Sequence, residues 1–349
     1  MRFSALGDIA MAIPPLYDAC RACPDCRFIF LTRTHPARLF INPPANLTVV
    51  GIDTDLYKGA VGLRRLFASL RRQYAPDTVV DLHDVLRTKI LRTFFRLSGA
   101  RVAVIRKGRA EKRRLTRRGK KIMLPLKPTL ERYADTFRRA QIQAMPIFRS
   151  IFDTVPPDTA LYSSVAPQPK NGGRWVAIAP FARHKGKVYP EELMRQVAER
   201  IAAVPGVRVF LFGAGEREKE ILARWADGHD NMVSMAGASL GLAAELALLA
   251  SCDVMVSMDS ANMHLASLAG VPVVSVWGAT HPYAGFMGFG QSLDNAVQLD
   301  MICRPCSVFG DRPCMRGDYH CMRGISPALI AGKVERLLEA SQTPSPNIC

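Results

Sequence analysis

The 349-residue chain contains no uninterrupted apolar run approaching the ~18 residues of a membrane span, which excludes an integral helical membrane protein. It begins without the pattern of a secretory leader, because Asp8 interrupts the only apolar candidate. No sequence repeat recurs, so solenoids and propellers are excluded. Acidic residues are scarce: 30 Asp and Glu face 47 Lys and Arg, a net charge of +17. That imbalance demands an anionic partner. The nine cysteines are an odd number spread over a long chain, which does not suit a small secreted disulfide scaffold. A reducing compartment, the cytoplasm, is expected.

What is present is alternation of buried strands and amphipathic helices. Strands are predicted at 28–32, 47–51, 78–82 and 102–105, with helices near 60–74 and 86–98. The pattern breaks in a Pro/Gly-rich stretch and restarts with strands at 175–180 and 207–213 and helices near 190–204, 216–226 and 241–251. This is α/β architecture, two doubly wound Rossmann-like sheets facing across a cleft. The expected division is a first domain over 1–160, a linker over 161–173, a second domain over 174–340, and a disordered tail over 341–349.

Two strand-to-helix junctions stand out. Near the carboxyl end, Val254-Met-Val-Ser-Met-Asp-Ser-Ala-Asn-Met-His264 reads as a buried strand, an Asp/Ser cap and a helix closed by Gly270. Free backbone N–H groups at such a helix start favour phosphate. At the amino end, Arg2-Phe-Ser-Ala-Leu-Gly-Asp8 leads into a second helix. Asp8 is a cap by position and a candidate proton acceptor. Two further loops belong on the same sheet edge as Asp259–His264: Phe181-Ala-Arg-His-Lys-Gly-Lys187, and Gly213-Ala-Gly-Glu216. Lys185 and Lys187 can neutralise phosphate oxygens, and Glu216 can accept hydrogen bonds from ribose hydroxyls.

The basic charge concentrates in 106–121, ten Lys and Arg against the single acid Glu111. A solvated, flexible run and a grip on phosphate-rich ligands both remain open for it. It contains no aromatic residue, which argues against stacking on single-stranded nucleic acid. Asp53-Thr-Asp55 reads as a surface turn in preference to a metal-holding Asp-x-Asp. Cys303, Cys306, Cys314 and Cys321 fall within twenty residues and could hold a structural zinc or pair as disulfides, although a plain loop is favoured. Cys20, Cys23 and Cys26 read as packing or surface residues. His83 and His281 sit in loops without an identifiable partner.

The junctions and loops resemble glycosyltransferase family 9, the ADP-heptose:lipopolysaccharide heptosyltransferases. The resemblance rests on Arg2-Phe-Ser-x-Leu-Gly-Asp8, Lys187-x-Tyr-Pro-Glu191 and Phe212-Gly-x-Gly-Glu216. Asp259-Ser-x-x-Met-His264, Gly270-Val-Pro-Val-Val and Trp277-Gly-x-Thr280 extend it. It implies a GT-B fold and an inverting, metal-independent transfer of heptose or a related sugar from an ADP-sugar to a lipopolysaccharide inner-core acceptor. No cofactor is required. It further implies Asp8 as base and Lys187 at the donor phosphates. Arg183, Lys185, Glu216, Asp259, Ser260, Ala261, His264 and Thr280 then bind the donor. Ala182 and Arg183 stand where some members carry hydroxyl residues, so that contact passes to Arg183 or to backbone. The family also has a longer first strand than this chain shows. Arg106, Lys107, Arg109, Lys112 and Arg113 are expected to meet the phosphorylated lipid-linked acceptor and the anionic inner leaflet, giving a cytoplasmic, peripheral protein. The alternatives are a degenerate member that binds nucleotide without catalysis, and a basic nucleic-acid-binding protein. The latter leaves both junctions unused, and no nucleic acid is expected.

Overall fold

The computed structural model describes residues 1–143 and 145–340, so the tail expected at 341–349 lies outside the described residues. The chain divides into two compact units. Unit 1 comprises Met1–Gly108 and Lys127–Val155, and unit 2 comprises Arg109–Leu126 and Pro156–Cys349. The basic excursion Arg109–Leu126, which chain order alone would leave in the first domain, therefore belongs to the second. The stretch read as a linker is also tied down there. Tyr162 is buried edge-on against Trp175, with its hydroxyl 2.8 Å from Ser251 Oγ.

Unit 1 contains β1 (Phe28–Arg33), β2 (Leu47–Ile52), β3 (Thr78–Asp81) and β4 (Arg101–Val104). They form two separate parallel ladders, β1 with β2 and β3 with β4, where the alternation predicts one continuous sheet. The strip at residues 1–3 bridges the ladders: Arg2 N–H donates to Leu31 O, the Met1 amino group to Val80 O, and Leu82 N–H to Met1 O. Helices Gly59–Tyr74 and Leu86–Leu97 present Leu63, Leu66 and Leu70, and Leu91 and Phe95, at helical spacing onto Leu31 and Val79. Cys23 and Cys26 are joined by a disulfide, a correction to the sequence reading, while Cys20 is buried packing. Asn46 Nδ2 donates to the carbonyls of Cys20, Cys23 and Cys26 at 3.0 Å each, fixing that turn.

Unit 2 is built on β5 (Arg174–Ala179), β6 (Val207–Leu211), β7 (Met232–Ser234), β8 (Val254–Met258), β9 (Val273–Val276) and β10 (Ala296–Val297). They form one six-stranded parallel sheet in the order β10-β9-β8-β5-β6-β7. Counting from β5, this is the 3-2-1-4-5-6 order of a dinucleotide-binding sheet. Every residue of β8 and β9 is buried, which explains their unbroken apolar composition. Helices Glu191–Ala202 and Pro327–Ala340 cover the sheet with Met194, Val197 and Ile201, and with Ile330, Val334 and Leu338. No helix among the described residues is long and apolar enough to cross a membrane.

Candidate functional site

In unit 1, Asp8 is the third residue of the short helix Leu6–Ala10. Its Oδ2 accepts the Ala5 N–H at 3.3 Å, the back-bond of a cap, and also pairs with Arg2 Nη2 at 2.6 Å. Arg2 is itself buried and held. Its Nη1 donates to Leu82 O at 2.6 Å, and its guanidinium lies 5.6 Å from the centre of the Tyr133 ring. The Asp8 side chain remains 27% exposed, oriented by two donors yet open to solvent.

The end of β3 supplies a second group. Asp81 is fully buried, accepts the N–H groups of His83 and Asp84 at 2.9 Å, and pairs with Arg92 at 2.8 Å. The resulting turn aims His83 at the amino-terminal strip. Its Nδ1 accepts the Phe3 N–H at 3.3 Å, leaving the proton on Nε2, 3.4 Å from Ser4 Oγ. Burial, assisted by Arg2, pulls the His83 pKa down to about 4, so the ring is neutral at pH 7. Beside it opens a cavity of about 480 Å³ lined by Ser4, Arg33, Tyr57, His83, Arg87 and Ile90, among others. Sequence reasoning passed over Asp81, although an acid closing a buried strand was the available signal. Asp53 folds onto its own backbone, accepting the Asp55 N–H at 2.9 Å, a surface turn.

In unit 2 the strand order reverses between β5 and β8, and the loops leaving these strands meet at that switch point. Lys187, from the loop after β5, pairs at 2.7 Å with Asp259, the first residue after β8. Asp259 is almost wholly buried, its side chain 4% exposed. Ser260 follows as the N-cap residue of helix Ala261–Leu268, with Oγ 3.3 Å from Ser257 Oγ. His264 is buried one turn in, and Thr280 is buried at the end of β9. Not every expected donor residue gathers here. Glu216, first residue of helix Glu216–Ala226, is exposed beside Lys219, and Arg183 is exposed. Lys185 lies 5.2 Å over the Tyr319 ring.

Close backbone packing fixes Lys187. A Cβ on Gly186 would stand 2.7 Å from Ala279 Cβ and 3.0 Å from Gly310 O; one on Gly310 would stand 2.6 Å from Lys187 Cγ. Gly186 O accepts the Ala279 N–H at 2.8 Å, and Ala279 O accepts from Cys306 and Ser307. Arg304, another residue that sequence reasoning missed, is buried and donates to the carbonyls of Gly278, Thr280 and Leu299. It buckles the cysteine loop onto the end of β9. His281 lies beside it, its Nδ1 accepting the Tyr283 N–H, and burial with Arg304 nearby lowers its pKa to about 4.

Cys303, Cys306, Cys314 and Cys321 are free thiols lining one small cavity of about 20 Å³. Burial pushes the Cys306 and Cys321 thiols up, Cys321 to about 11. Among the described residues, no group of three or more His, Cys, Asp or Glu is arranged to hold a metal ion. The basic segment is divided. Arg106 and Lys107 stay in unit 1, where Arg132 donates to Arg106 O and Lys107 to Asp84 O, while Arg109, Lys112 and Arg113 lie in unit 2.

Residues 63–312 match the family described as Glycosyltransferase family 9 (heptosyltransferase). Over 98% of both proteins, the chain is 26% identical to lipopolysaccharide heptosyltransferase 1 of Pseudomonas aeruginosa. It is similar in structure to a family 9 glycosyl transferase from Veillonella parvula, with a TM-score of 0.73 at 15% identity over 97% of this chain and 96% of that one. Against the E. coli heptosyltransferase WaaC with ADP-2-deoxy-2-fluoro heptose, the TM-score is 0.63 at 18% identity, over 97% and 98%. The fold is GT-B. The chain belongs to glycosyltransferase family 9, the heptosyltransferases.

Proposed function

We propose that the protein transfers heptose from ADP-heptose to an inner-core acceptor of lipopolysaccharide, with inversion at the anomeric carbon and without a metal. The observation that carries this reading is the Lys187–Asp259 pair, 2.7 Å long, at the switch point of a sheet with nucleotide-binding strand order. The ADP-sugar analogue named with the E. coli relative and the lipopolysaccharide acceptor named with the Pseudomonas relative support the choice of substrates.

The mechanism follows from charge. As the glycosidic bond lengthens, positive charge builds on the anomeric carbon and negative charge on the departing diphosphate. The Lys187 ammonium and the free N–H groups at the start of helix Ala261–Leu268 stabilise that diphosphate, with Ser260, Ala261, His264 and Thr280 around it. Asp259 is a carboxylate and repels phosphate, so its task is to hold Lys187 in place. Arg183, Lys185 and Glu216 serve the outer parts of the donor. Asp8 accepts the proton of the acceptor hydroxyl as its oxygen attacks the face opposite the leaving group, and the configuration inverts. Arg2 fixes the Asp8 carboxylate for that task. Arg106, Lys107, Arg109, Lys112 and Arg113 attract the phosphates of a lipid-linked acceptor and an anionic membrane surface. The test is product analysis after incubating the protein with a panel of ADP- and UDP-sugars and a deacylated core acceptor. A heptosylated product with inverted configuration, formed in excess chelator, is expected. Transfer from a UDP-sugar alone, or a chelator-abolished reaction, contradicts the reading.

A further inference from the structure

The excursion Arg109–Leu126 and the loop that carries the cysteines form one surface of unit 2. Lys121 Nζ donates to Cys303 O at 2.5 Å and to Pro305 O at 3.0 Å. Leu126 N–H donates to Tyr283 O at 2.9 Å, and Lys112 Nζ lies 4.0 Å over the Phe286 ring, which packs on Phe309. Between the two segments opens a cavity of about 520 Å³ lined by Arg113, Arg114, Thr116, Arg117, Arg118 and Arg312. Five guanidinium groups and no carboxylate line it.

Large apolar side chains are exposed on the same two segments. Ile302 is 98% exposed, Phe309 54%, Met315 63% and Leu124 63%. Each is linked to the basin or its anchors. Phe309 and Met315 flank Arg312 in sequence, Ile302 adjoins the Lys121-bound Cys303, and the residue before Met123-Leu124, Ile122, donates its N–H to Arg114 O at 3.3 Å. Solvated charge explains the arginines but not the bulky apolar side chains left exposed on the segments that carry them. A bilayer interface satisfies both. Anionic phosphates meet guanidinium groups at headgroup depth, and the apolar tips enter the acyl boundary.

We infer that this face of unit 2 is a membrane-docking surface for an anionic phospholipid bilayer, with the arginine basin taking lipid phosphates and Ile302, Phe309 and Met315 inserting. It rests on the lipid-linked acceptor reading for the identity of its partner, and not on the transfer chemistry. Nucleic acid, the other polyanion, gives the exposed aliphatic residues nothing to enter.

The test is sedimentation of the full chain with phosphatidylcholine vesicles, with and without phosphatidylglycerol, across a salt series. Duplex DNA serves as competitor. Binding only to the anionic vesicles is expected, weakened by salt but with a salt-resistant fraction. Neutralising Arg117 and Arg118 to Gln lowers partition about fivefold per arginine. The double substitution Ile302→Ser and Phe309→Ser lowers it about tenfold and removes the salt-resistant fraction. Phe309→Trp keeps an aromatic side chain and guards against a folding defect. The emission it adds should shift to the blue and be quenched by brominated phosphatidylglycerol. Equal binding to neutral vesicles overturns the inference, as does wild-type partition in the Ser variant, unquenched added emission in Phe309→Trp, or complete displacement by DNA. Transfer to a deacylated acceptor separates the two readings. If it proceeds without vesicle binding, only this surface fails; if vesicle binding holds without transfer, only the proposed activity fails.

Discussion

The two junctions place an aspartate in similar sequence settings and treat it in opposite ways. Asp8 stands on a five-residue helix, 27% exposed, its position set by Arg2, which the Leu82 carbonyl and Tyr133 ring hold from behind. Asp259 closes a wholly buried strand, is 4% exposed, and reaches a lysine whose stem packs on Gly310. An acid that must take a proton from an arriving hydroxyl needs an open side. An acid that must hold a cation needs none. On the proposed roles, burial separates base from strut where residue type does not.

That contrast can be broken by substitution, and the largest effect is expected at the open acid. Asp8→Ala should lower kcat about 10²–10⁴-fold, the usual contribution of a general base. Lys187→Ala should cost about 10²–10³-fold in kcat/KM, as loss of a charge-stabilising donor does. Asp259 is then tested through a double-mutant cycle on kcat/KM. If Asp259→Asn acts only through Lys187, the pair with Lys187→Met should be no worse than Lys187→Met alone, and additive losses would reject the strut assignment.

Smaller effects test the packing that holds the strut. Gly186→Ala forces a Cβ against Ala279 Cβ and Gly310 O, and about 1–3 kcal/mol of stability should be lost in denaturant titration. An unchanged midpoint would mean that the loop gives way. The histidines set the smallest expectation. His83 and His281 both have pKa values lowered to about 4 by burial, so between there and the unfolded value of ~6.5 the unfolded chain binds more protons. Their contribution is complete above that interval and lost as pH falls through it. Thermal melting should decline on acidification over this range, and His83→Asn should flatten part of the decline.

Both units were legible at their buried strands, those of unit 2 most plainly in composition. The parallel strands of unit 2 are buried on both faces, so strands such as Val254–Met258 announce themselves as apolar runs, and Lys187, Asp259 and Ser260 follow at their ends. The short edge strands Met232–Ser234 and Ala296–Val297 carry too little pattern to be read. Unit 1 hid features of its own. Its bridging strip is three residues long, and helix Thr129–Arg139 buries only a narrow stripe that includes Tyr133 and Phe137 among charged neighbours. Asp81 offered only its place at the end of a buried strand and Arg304 no signal at all, because their partners are backbone groups or side chains supplied by the fold. The division of the basic segment was equally hidden, since charge runs carry no signal of which core they pack against.

Calorimetric titration of ADP into the wild type, Asp8→Ala and Lys187→Ala tests the division of labour most directly. Asp8→Ala should bind ADP as the wild type does, while Lys187→Ala should bind at least about tenfold more weakly, a loss of about 1.4 kcal/mol. Wild-type affinity in Lys187→Ala, or an affinity lost with Asp8, would contradict the assignment of phosphate to one junction and proton to the other.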